Sequence, residues 1–400
     1  MKLRLPVAAL TDAVSYTARA LPARPPIPVL AGMLLTTTDG SLHLAASDTE
    51  VYTSDTATAE VADDGRALVP GRLLADICSR LPKGAEVDLE LVDKGARLSV
   101  ASRAARFTLP TLPLDEYPAL PALPDAVATV PADAFADAVA QVVVAASTED
   151  ALPALTGVQL RLDGELLVLL ATDRYRIARR ELAVHPTGTL PGEQAKKRRK
   201  PEPGEGPDPA AASAAAETLV PAKNLAEAAK ALDGEHALTL HWAEGMVGLS
   251  IPGGRSYTTR ILSGYEAPNM DAVLAGIDPV ATWTLPVADT IAALQRVALV
   301  AARNTPVLLT LDGDQMRIEA GSGDDARASD RVPAAADGDL GAPSIAFNPG
   351  FLIDALKSLG APEAEMRLRH PHKPVLMLPH LGDGAPTHYR HMLMPVRLSG

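Results

Sequence analysis

The chain has 400 residues with a net charge of −12; 47% of the residues are hydrophobic and 22% are charged. This size and composition predict two or three folded domains, and the acidic balance excludes a wholly basic nucleic-acid binder while leaving room for a locally basic surface. Because there is one cysteine, no signal-peptide pattern and no long apolar run, we expect a soluble cytoplasmic protein without an internal disulfide or a membrane part.

The first part of the chain contains two predicted helices, each of about 12–15 residues and each opened by a proline. We place Pro6 and Pro70 in the first turn of these helices, because the N–H that proline lacks would have no partner there. The helices carry these apolar residues on one face: Leu10, Val14 and Ala18 in the first, and Leu74, Ile77 and Leu81 in the second. Short β-rich runs turn at Asp39–Gly40 and Lys94–Gly95, which are typical hairpin dipeptides.

The same order of elements recurs twice further along the chain. The first helix of each copy follows Pro6, Pro131 or Pro286, and the second follows Pro70, Pro221 or Pro349. In the first two copies an aspartate, Asp48 or Asp173, lies 42 positions after the opening proline. We therefore predict an α+β fold of three repeated domains, each with two helices packed on antiparallel sheets. The predicted domains span 1–122, 128–275 and 280–400.

The middle copy is too long by about 26 residues. The excess lies at 186–217, where proline, glycine, alanine and charge dominate without apolar periodicity. Such a composition buries too little to offset the entropy of ordering, so we predict a disordered surface loop. We interpret its basic run, Lys196–Lys200, as a solvated charge run, with contact to DNA or to an acidic partner as the alternative.

Three segments then resemble one known family in order. The segment Phe107–Pro113 with Glu116–Pro118 resembles the end of its first domain, Ala171–Ala178 its middle-domain motif, and Leu393–Leu398 its C-terminal ending. The family is that of the bacterial β sliding clamps, the beta subunits of DNA polymerase III. The resemblance covers the chain except for the insert at 186–217 and the last two residues. It implies a head-to-tail homodimer that closes into a ring, with helices lining the hole and a continuous sheet outside.

The resemblance implies a protein that performs no catalysis and needs no cofactor or metal. A closed ring holds double-stranded DNA by topology, so weak attraction to phosphates suffices and no sequence specificity is needed. The clamp would tether the replicative polymerase and raise its processivity. The implied partners are the DNA polymerase III alpha subunit, the clamp loader and other proteins with a clamp-binding motif, at a cytoplasmic, nucleoid-associated location.

Family members bind short partner peptides in an apolar pocket between the middle and last domains. The resemblance assigns to this pocket Leu155, Thr172, Arg174, Tyr175, Arg176, Ile177, Pro268, Val273, Pro374, Met392, Met394 and Val396. Flexible methionines suit a groove that adapts to several partners. Arg174 stands where many members have glycine and Tyr175 where many have histidine, and both would narrow the mouth; Leu152 replaces a common arginine. The alternative for Leu155, Ile177 and Met394 is an ordinary place in the core.

Basic residues on the predicted helices are candidates for facing DNA. They are Arg24, Arg19, Arg72, Arg80, Lys83, Lys223, Lys230, Arg296 and Lys357. Arg24 stands where the family carries a DNA-contacting arginine; for each of the others a solvated surface charge is the alternative. The helix predicted at 132–146 has no lysine or arginine but contains Asp133 and Asp137, which weakens its expected attraction to DNA.

The family pattern places Phe107 and Leu109 on one side of the subunit interface, and Leu299 and Val300 of the partner on the other. For Val300 the alternative is a buried helix position in its own domain.

Two other functions remain open at this point. One is a divergent clamp paralogue that acts as a scaffold or competitor with weakened DNA or partner binding. The other is a DNA-processing enzyme on a related fold, against which the absence of a convergent carboxylate or histidine motif argues.

Overall fold

The computed structural model describes residues 1–149, 151–189, 216–231, 234–265, 270, 273–274, 278–300, 305–321, 326–341, 344–382 and 387–397. These residues form two compact units. The first contains 1–133, 185–189, 230–231 and 234–261, and the second contains the rest. The middle repeat contributes to both units, so its predicted bounds, like those of the other two domains, stay a prediction.

The described residues contain six α-helices, two in each repeat as predicted. They are α1 (Val7–Thr17), α2 (Gly71–Arg80), α3 (Ala132–Val143), α4 (Ala222–Ala231), α5 (Val287–Val297) and α6 (Pro349–Ser358). With 12 residues α3 reaches the predicted length of 12–15, and the other five, with 10 or 11, are shorter. In α1 and α5 the reason is that the helix tightens at its end into a 3-10 turn, Ala18–Ala20 or Ala298–Val300.

The prediction that the prolines occupy the first helical turn is wrong for most of them. Pro6, Pro70 and Pro286 are N-caps in extended or near-extended conformation and also the last residues of the preceding strands. Pro349 differs from these three, because it lies inside the first turn of α6. There Asn348 caps the helix, and its Oδ1 accepts a hydrogen bond from Phe351 N. A proline φ near −65° fits both an extended strand end and a helix start, so each proline marks the junction.

Twenty-seven strands are described. In chain order they are β1 Lys2–Pro6, β2 Gly32–Thr38, β3 Ser41–Ser47, β4 Val51–Thr58, β5 Glu60–Asp63, β6 Gly65–Pro70, β7 Glu86–Val92, β8 Arg97–Ser102, β9 Ala105–Pro110, β10 Ala126–Pro131, β11 Gly157–Asp163, β12 Leu166–Thr172, β13 Arg176–Ala183, β14 His185–Pro186, β15 Ala216–Pro221, β16 Ala237–Ala243, β17 Met246–Ile251, β18 Arg255–Arg260, β19 Ala281–Pro286, β20 Val307–Asp312, β21 Gln315–Ala320, β22 Ala328–Pro333, β23 Ala335–Gly338, β24 Ser344–Phe347, β25 Glu363–Leu368, β26 Val375–Pro379 and β27 Tyr389–Leu393.

Each unit contains one nine-stranded sheet and one smaller sheet. In the first unit the orders are β14-β10-β16-β17-β18-β4-β3-β2-β6 and β5-β1-β7-β8-β9. In the second they are β15-β11-β12-β13-β27-β26-β25-β19-β23 and β22-β21-β20-β24. The predicted hairpin at Asp39–Gly40 is present, and both residues have the positive φ that such a turn requires.

The helices bury one face each. On α1, Leu10 and Val14 are buried as predicted, and on α2 so are Leu74 and Ile77.

The structure corrects the bounds of the predicted insert, because Pro186 ends β14 and residues 216–217 begin β15. Residues 190–215, with the basic run, lie outside the described residues. Within the described ranges, no helix has the length and apolar character needed to cross a lipid bilayer.

Candidate functional site

Two distant segments meet in the nine-stranded sheet of the second unit. Strands β13 and β27 pair antiparallel, with Arg176 opposite Leu393 and Ile177 opposite Met392. The pairing continues past the strand ends, where Met394 N donates to Tyr175 O at 2.8 Å. The middle-domain motif and the C-terminal ending that the sequence singled out are therefore neighbours in space.

A cavity of about 360 Å³ opens at this junction. It is lined by Leu155, Thr172, Arg174, Tyr175, Arg176, Ile177, Met270, Val273, Pro374, Met392 and Met394. Ten of the twelve residues assigned from the sequence are in this set. Pro268 lies outside the described residues. The assignment missed Met270, although a methionine between the two assigned positions 268 and 273 was a usable signal.

Val396 is not among the residues that line the cavity, so its place in the peptide site stays a prediction without support from this geometry. Its N–H donates to Ala346 O at 2.8 Å, so the chain beyond Met394 follows β24 instead of the cavity wall. The side chain of Val396 is half-buried there.

The floor of the cavity belongs to a buried apolar cluster. Its members are Leu170, Ile177, Leu274, Leu376, Leu378 and Met392, with Met270 packed against them. Ile177 and Met392 are 6% and 2% exposed, whereas Tyr175 and Met394 are 55% and 38% exposed at the mouth. Ile177 is therefore both a member of the buried cluster and a lining residue of the cavity. An apolar floor with exposed anchors at the rim suits an extended apolar ligand.

A tight turn forms part of the mouth. Asp173 Oδ1 accepts hydrogen bonds from Tyr175 N at 2.9 Å and Arg176 N at 3.0 Å, and Thr172 Oγ1 donates to Arg176 O at 2.8 Å. Arg174 at the tip has φ +80°, in the left-handed region that favours glycine. This geometry explains the glycine that many family members have there. The Arg174 guanidinium lies 5.8 Å from the centroid of the Tyr175 ring, so both larger residues stand at the mouth.

Arg176 fixes the turn to helix α6. Its Nε donates to Asp173 Oδ2 and its Nη1 to Asp354 Oδ2, each at 2.9 Å. Its guanidinium also lies 4.2 Å from the centroid of the Phe351 ring. Since the side chain is only 9% exposed, these charge-assisted contacts hold it in one orientation.

Behind this wall lies a buried polar pair on β27. The Tyr389 hydroxyl lies 3.1 Å from Gln141 O and 2.8 Å from His391 Nδ1. Burial, and then the charge of Arg176, lower the pKa of His391 to about 3. Burial raises the pKa of Tyr389. Both side chains are therefore uncharged at neutral pH.

All nine candidate DNA-binding residues are exposed. Arg72 Nη2 donates to Leu21 O at 2.8 Å, and Arg296 Nε donates to Asp330 Oδ2 at 2.7 Å. The hydrogen bond from Arg296 lowers the pKa of Asp330, and the ion pair partly neutralises the charge of Arg296. Arg296 is thus a weaker candidate than the sequence predicts. Helix α3 carries no lysine or arginine, as read from the sequence.

The candidate interface residues divide into exposed and buried positions. Phe107 is 38% exposed on β9, the edge strand of the five-stranded sheet, whereas Leu109 is 1% exposed. Leu109 is buried within its own unit, so its side chain is covered before any partner binds, and its assignment to the interface stays a prediction. Leu299 is 85% exposed and Val300 half-buried, both in the 3-10 turn after α5 rather than in the helix itself.

Comparison with known proteins covers nearly the whole chain. Models of the DNA polymerase III beta subunit match at residues 1–121 (N-terminal domain), 129–190 (central domain) and 281–397 (C-terminal domain). The chain is 41% identical to the beta sliding clamp of Streptomyces coelicolor, over 100% of both chains. It is 36% identical to the beta sliding clamp homolog GriR of Streptomyces muensis, over 99% of both. The crystal structure of the DNA polymerase III subunit beta from Pseudomonas aeruginosa matches with a TM-score of 0.85 over 100% of both chains, at 22% identity, which shows a shared fold.

Proposed function

Because the chain belongs to the DNA polymerase III beta subunit family and is a non-catalytic DNA sliding clamp, we propose that the cavity between β13 and β27 is its docking site for short partner peptides. The observation that supports this most is the convergence of ten assigned residues on one cavity with an apolar floor. Partners of this chemistry are the polymerase III alpha subunit, the clamp loader and other proteins with a clamp-binding motif.

The cavity favours a short apolar peptide for two reasons. Met270, Met392 and Met394 line it, and unbranched thioether side chains repack around different apolar groups. Arg176 and Asp173 hold the polar rim rigid, so little order has to be created on binding. Apolar anchors on the peptide would supply most of the affinity.

The experiment is a titration of a fluorescent peptide that carries glutamine, then leucine, then leucine-phenylalanine, into the wild-type protein and Met394→Asp. We expect saturable binding at micromolar concentration for the wild type and its loss in the variant. The matched control is Leu166→Asp, because Leu166 has the same 38% exposure in the same unit but lies on the β11–β12 hairpin. Equal binding by Met394→Asp and Leu166→Asp would contradict the proposed site.

We propose further that two copies associate head to tail through the free edges of their smaller sheets. Strand β9 ends the five-stranded sheet and β22 ends the four-stranded sheet, and each has one side without a strand partner within the described residues. An unpaired strand edge is a natural place for another chain to add. Phe107 on β9 and Leu299 near α5 would supply apolar contact, and a closed ring leaves neither edge free.

The closed ring would hold duplex DNA without sequence specificity, with Arg24 and the exposed helix cations near the phosphates. The test is retention on circular DNA. We expect the loaded protein to stay on a closed circle at moderate salt and to leave when the circle is cut. The cytoplasmic, nucleoid-associated location belongs to the same proposal.

A further inference from the structure

A second cavity of the second unit, of about 560 Å³, lies between helices α3 and α6 and the strand pair β13–β27. Its charged lining residues include Asp137 of α3, Arg180 of β13, and Asp354 and Lys357 of α6. The other polar lining residues are Gln141, Ser358, Thr387, His388 and Tyr389. This cavity shares no lining residue with the candidate peptide pocket.

The corresponding place in the first repeat shows how such a position is normally neutralised. The first two repeats are offset by 125 positions, so Asp12 corresponds to Asp137 and Asp55 to Arg180. The strand ladders agree, because Asp55 pairs with Leu44 and Arg180 with Leu169, which is again 125 positions later.

In the first unit this place is a closed ion-pair network. Arg255 donates from Nε to Asp55 at 3.0 Å and from Nη2 to Asp55 at 2.8 Å. The same Nη2 also donates to Asp12. Asp55, at 5% exposure, is thereby compensated, and the arginine stacks 4.4 Å from the Tyr16 ring centroid.

In the second unit the network is open. Arg180 stands at the position that corresponds to Asp55, and its partner in the strand ladder is Tyr389. In the first unit Ser54 pairs with Ser256, so the next position of the ladder places Arg255 opposite Asp55. The Tyr389 hydroxyl is engaged by Gln141 and His391. Arg180 Nε is buried without a hydrogen-bond partner in the described part of the chain. Asp137, the carboxylate with the largest effect on the pKa of Arg180, forms no ion pair with it there.

The cation is therefore held in an unfavourable place. Burial lowers the pKa of Arg180, although Asp137 and Glu181 act in the opposite direction. Buried polar groups normally have a hydrogen-bond partner, so the unused Nε donor of the half-buried Arg180 guanidinium suits an anion. Lys357, exposed on the same cavity wall, forms no ion pair with any described residue and supplies a second positive charge.

We propose that this cavity is an oxyanion site that takes a phosphate group, with Arg180 and Lys357 as its ligands. The planar fork of arginine suits two oxygens of one phosphate, and the lysine adds a mobile point charge. A backbone phosphate of the encircled duplex is the favoured source, an assignment that rests on the clamp's proposed hold on DNA. Arg180 then supplies, from the sheet, positive charge beside α3, which has no basic residue of its own.

The experiment measures binding of a fluorescein-labelled duplex by anisotropy over a series of KCl concentrations. The variants are Arg180→Gln, Lys357→Gln and the pair together, with Lys94→Gln as the control, because Lys94 is exposed in the β7–β8 turn of the first unit. We expect each cavity variant to weaken binding about three- to tenfold at low salt, and the slope of log affinity against log salt to fall by about 0.9 for each lost phosphate contact. Arg180→Lys should recover part of the loss, and melting temperatures should show that all variants are folded.

A second arm uses inorganic phosphate at constant ionic strength as competitor and as a thermal-shift ligand. We expect phosphate to compete with the duplex and to stabilise the wild type more than Arg180→Gln. Duplex affinity and salt slope of Arg180→Gln equal to those of Lys94→Gln would overturn the DNA source, and a lost phosphate response would then assign the site to free phosphate. No response in either arm would overturn the site altogether. Wild-type protein that is not retained on circular DNA would overturn the proposed hold on DNA instead.

Discussion

Arg176 in the wall of the proposed peptide pocket donates to Asp354 on helix α6 at 2.9 Å, and the same guanidinium donates to Asp173 in the mouth turn. One buried side chain thus joins the mouth of the pocket to a helix of the last repeat. The two carboxylates differ in setting, since the side chain of Asp173 is 11% exposed and that of Asp354 is 44% exposed. Their contributions to stability should differ accordingly.

We expect Asp173→Asn to lower the free energy of unfolding by about 2 kcal/mol, because it leaves a buried guanidinium beside an amide donor. Asp354→Asn should cost less than about 1 kcal/mol, because water screens this exposed pair. Urea unfolding of both variants measures the difference. Equal costs for the two substitutions would show that Asp173 is not the main partner of Arg176.

We expect Arg174→Gly to raise stability by about 1 kcal/mol and to strengthen peptide binding. Glycine adopts φ +80° without the steric cost of a Cβ, and the substitution removes a large side chain from the pocket mouth. Thr49→Gly is the matched control, since Thr49 has φ +83° and is exposed in the first unit, away from the pocket. It should raise the melting temperature and leave peptide affinity unchanged. Weaker peptide binding by Arg174→Gly would show that Arg174 contacts the peptide.

Much of the pocket was predictable because its parts are local motifs. The segment Ala171–Ala178 and the ending Leu393–Leu398 each carry a short pattern, and the repeat spacing fixes which strands they belong to. The position of Val396 outside the cavity was not predictable in the same way. Which side of a loop faces a cavity depends on tertiary hydrogen bonds such as Val396 N to Ala346 O, and no periodicity encodes these.

We expect Phe107→Asp and Leu299→Asp each to convert a dimer into monomers without unfolding them. Both side chains are exposed in the single chain, so a carboxylate there is solvated until a partner covers it. Light scattering over a concentration series checks the mass, with Leu73→Asp, 45% exposed on α2, as the control. If a variant keeps the wild-type mass at every concentration, the substituted residue does not belong to the interface.

Leu109→Asp should behave differently and unfold its unit, because Leu109 is 1% exposed. The family resemblance grouped Leu109 with Phe107 on one side of the subunit interface. Their two-residue spacing would place them on one face of a flat strand, yet one is exposed and the other buried. The difference in exposure depends on the position along the edge strand, because no other part of the unit covers Phe107. Which strand residues are covered depends on neighbours that are distant in sequence.

We expect the second unit to lose stability as the pH falls from about 6.5 towards 3, partly through His391. Its pKa is about 3 in the fold against 6.5 when unfolded, so the unfolded state binds the extra proton between these values. Above pH 6.5 protonation of His391 does not reduce the free energy of unfolding. Between pH 7 and pH 5 it lowers the free energy of unfolding by about 2 kcal/mol. His391→Phe should flatten the dependence of unfolding free energy on pH.

His43→Gln, at an exposed position on β3, is the control and should leave that dependence unchanged. The pKa of His241 in the first unit is also lowered by burial, so part of the acid sensitivity should persist in His391→Phe. A slope identical to that of the wild type would mean that His391 is accessible to protons in the folded chain.

The pairing of β13 with β27 also has a consequence during protein synthesis. Strand β13 and its apolar Ile177 leave the ribosome long before the residues of β27 exist, and until then one edge of β13 has no strand to pair with. A nascent chain can therefore fold its first unit early but cannot offer a finished peptide pocket while translation is under way. The proposed pocket is therefore completed only after the last repeat has been translated and β27 has paired with β13.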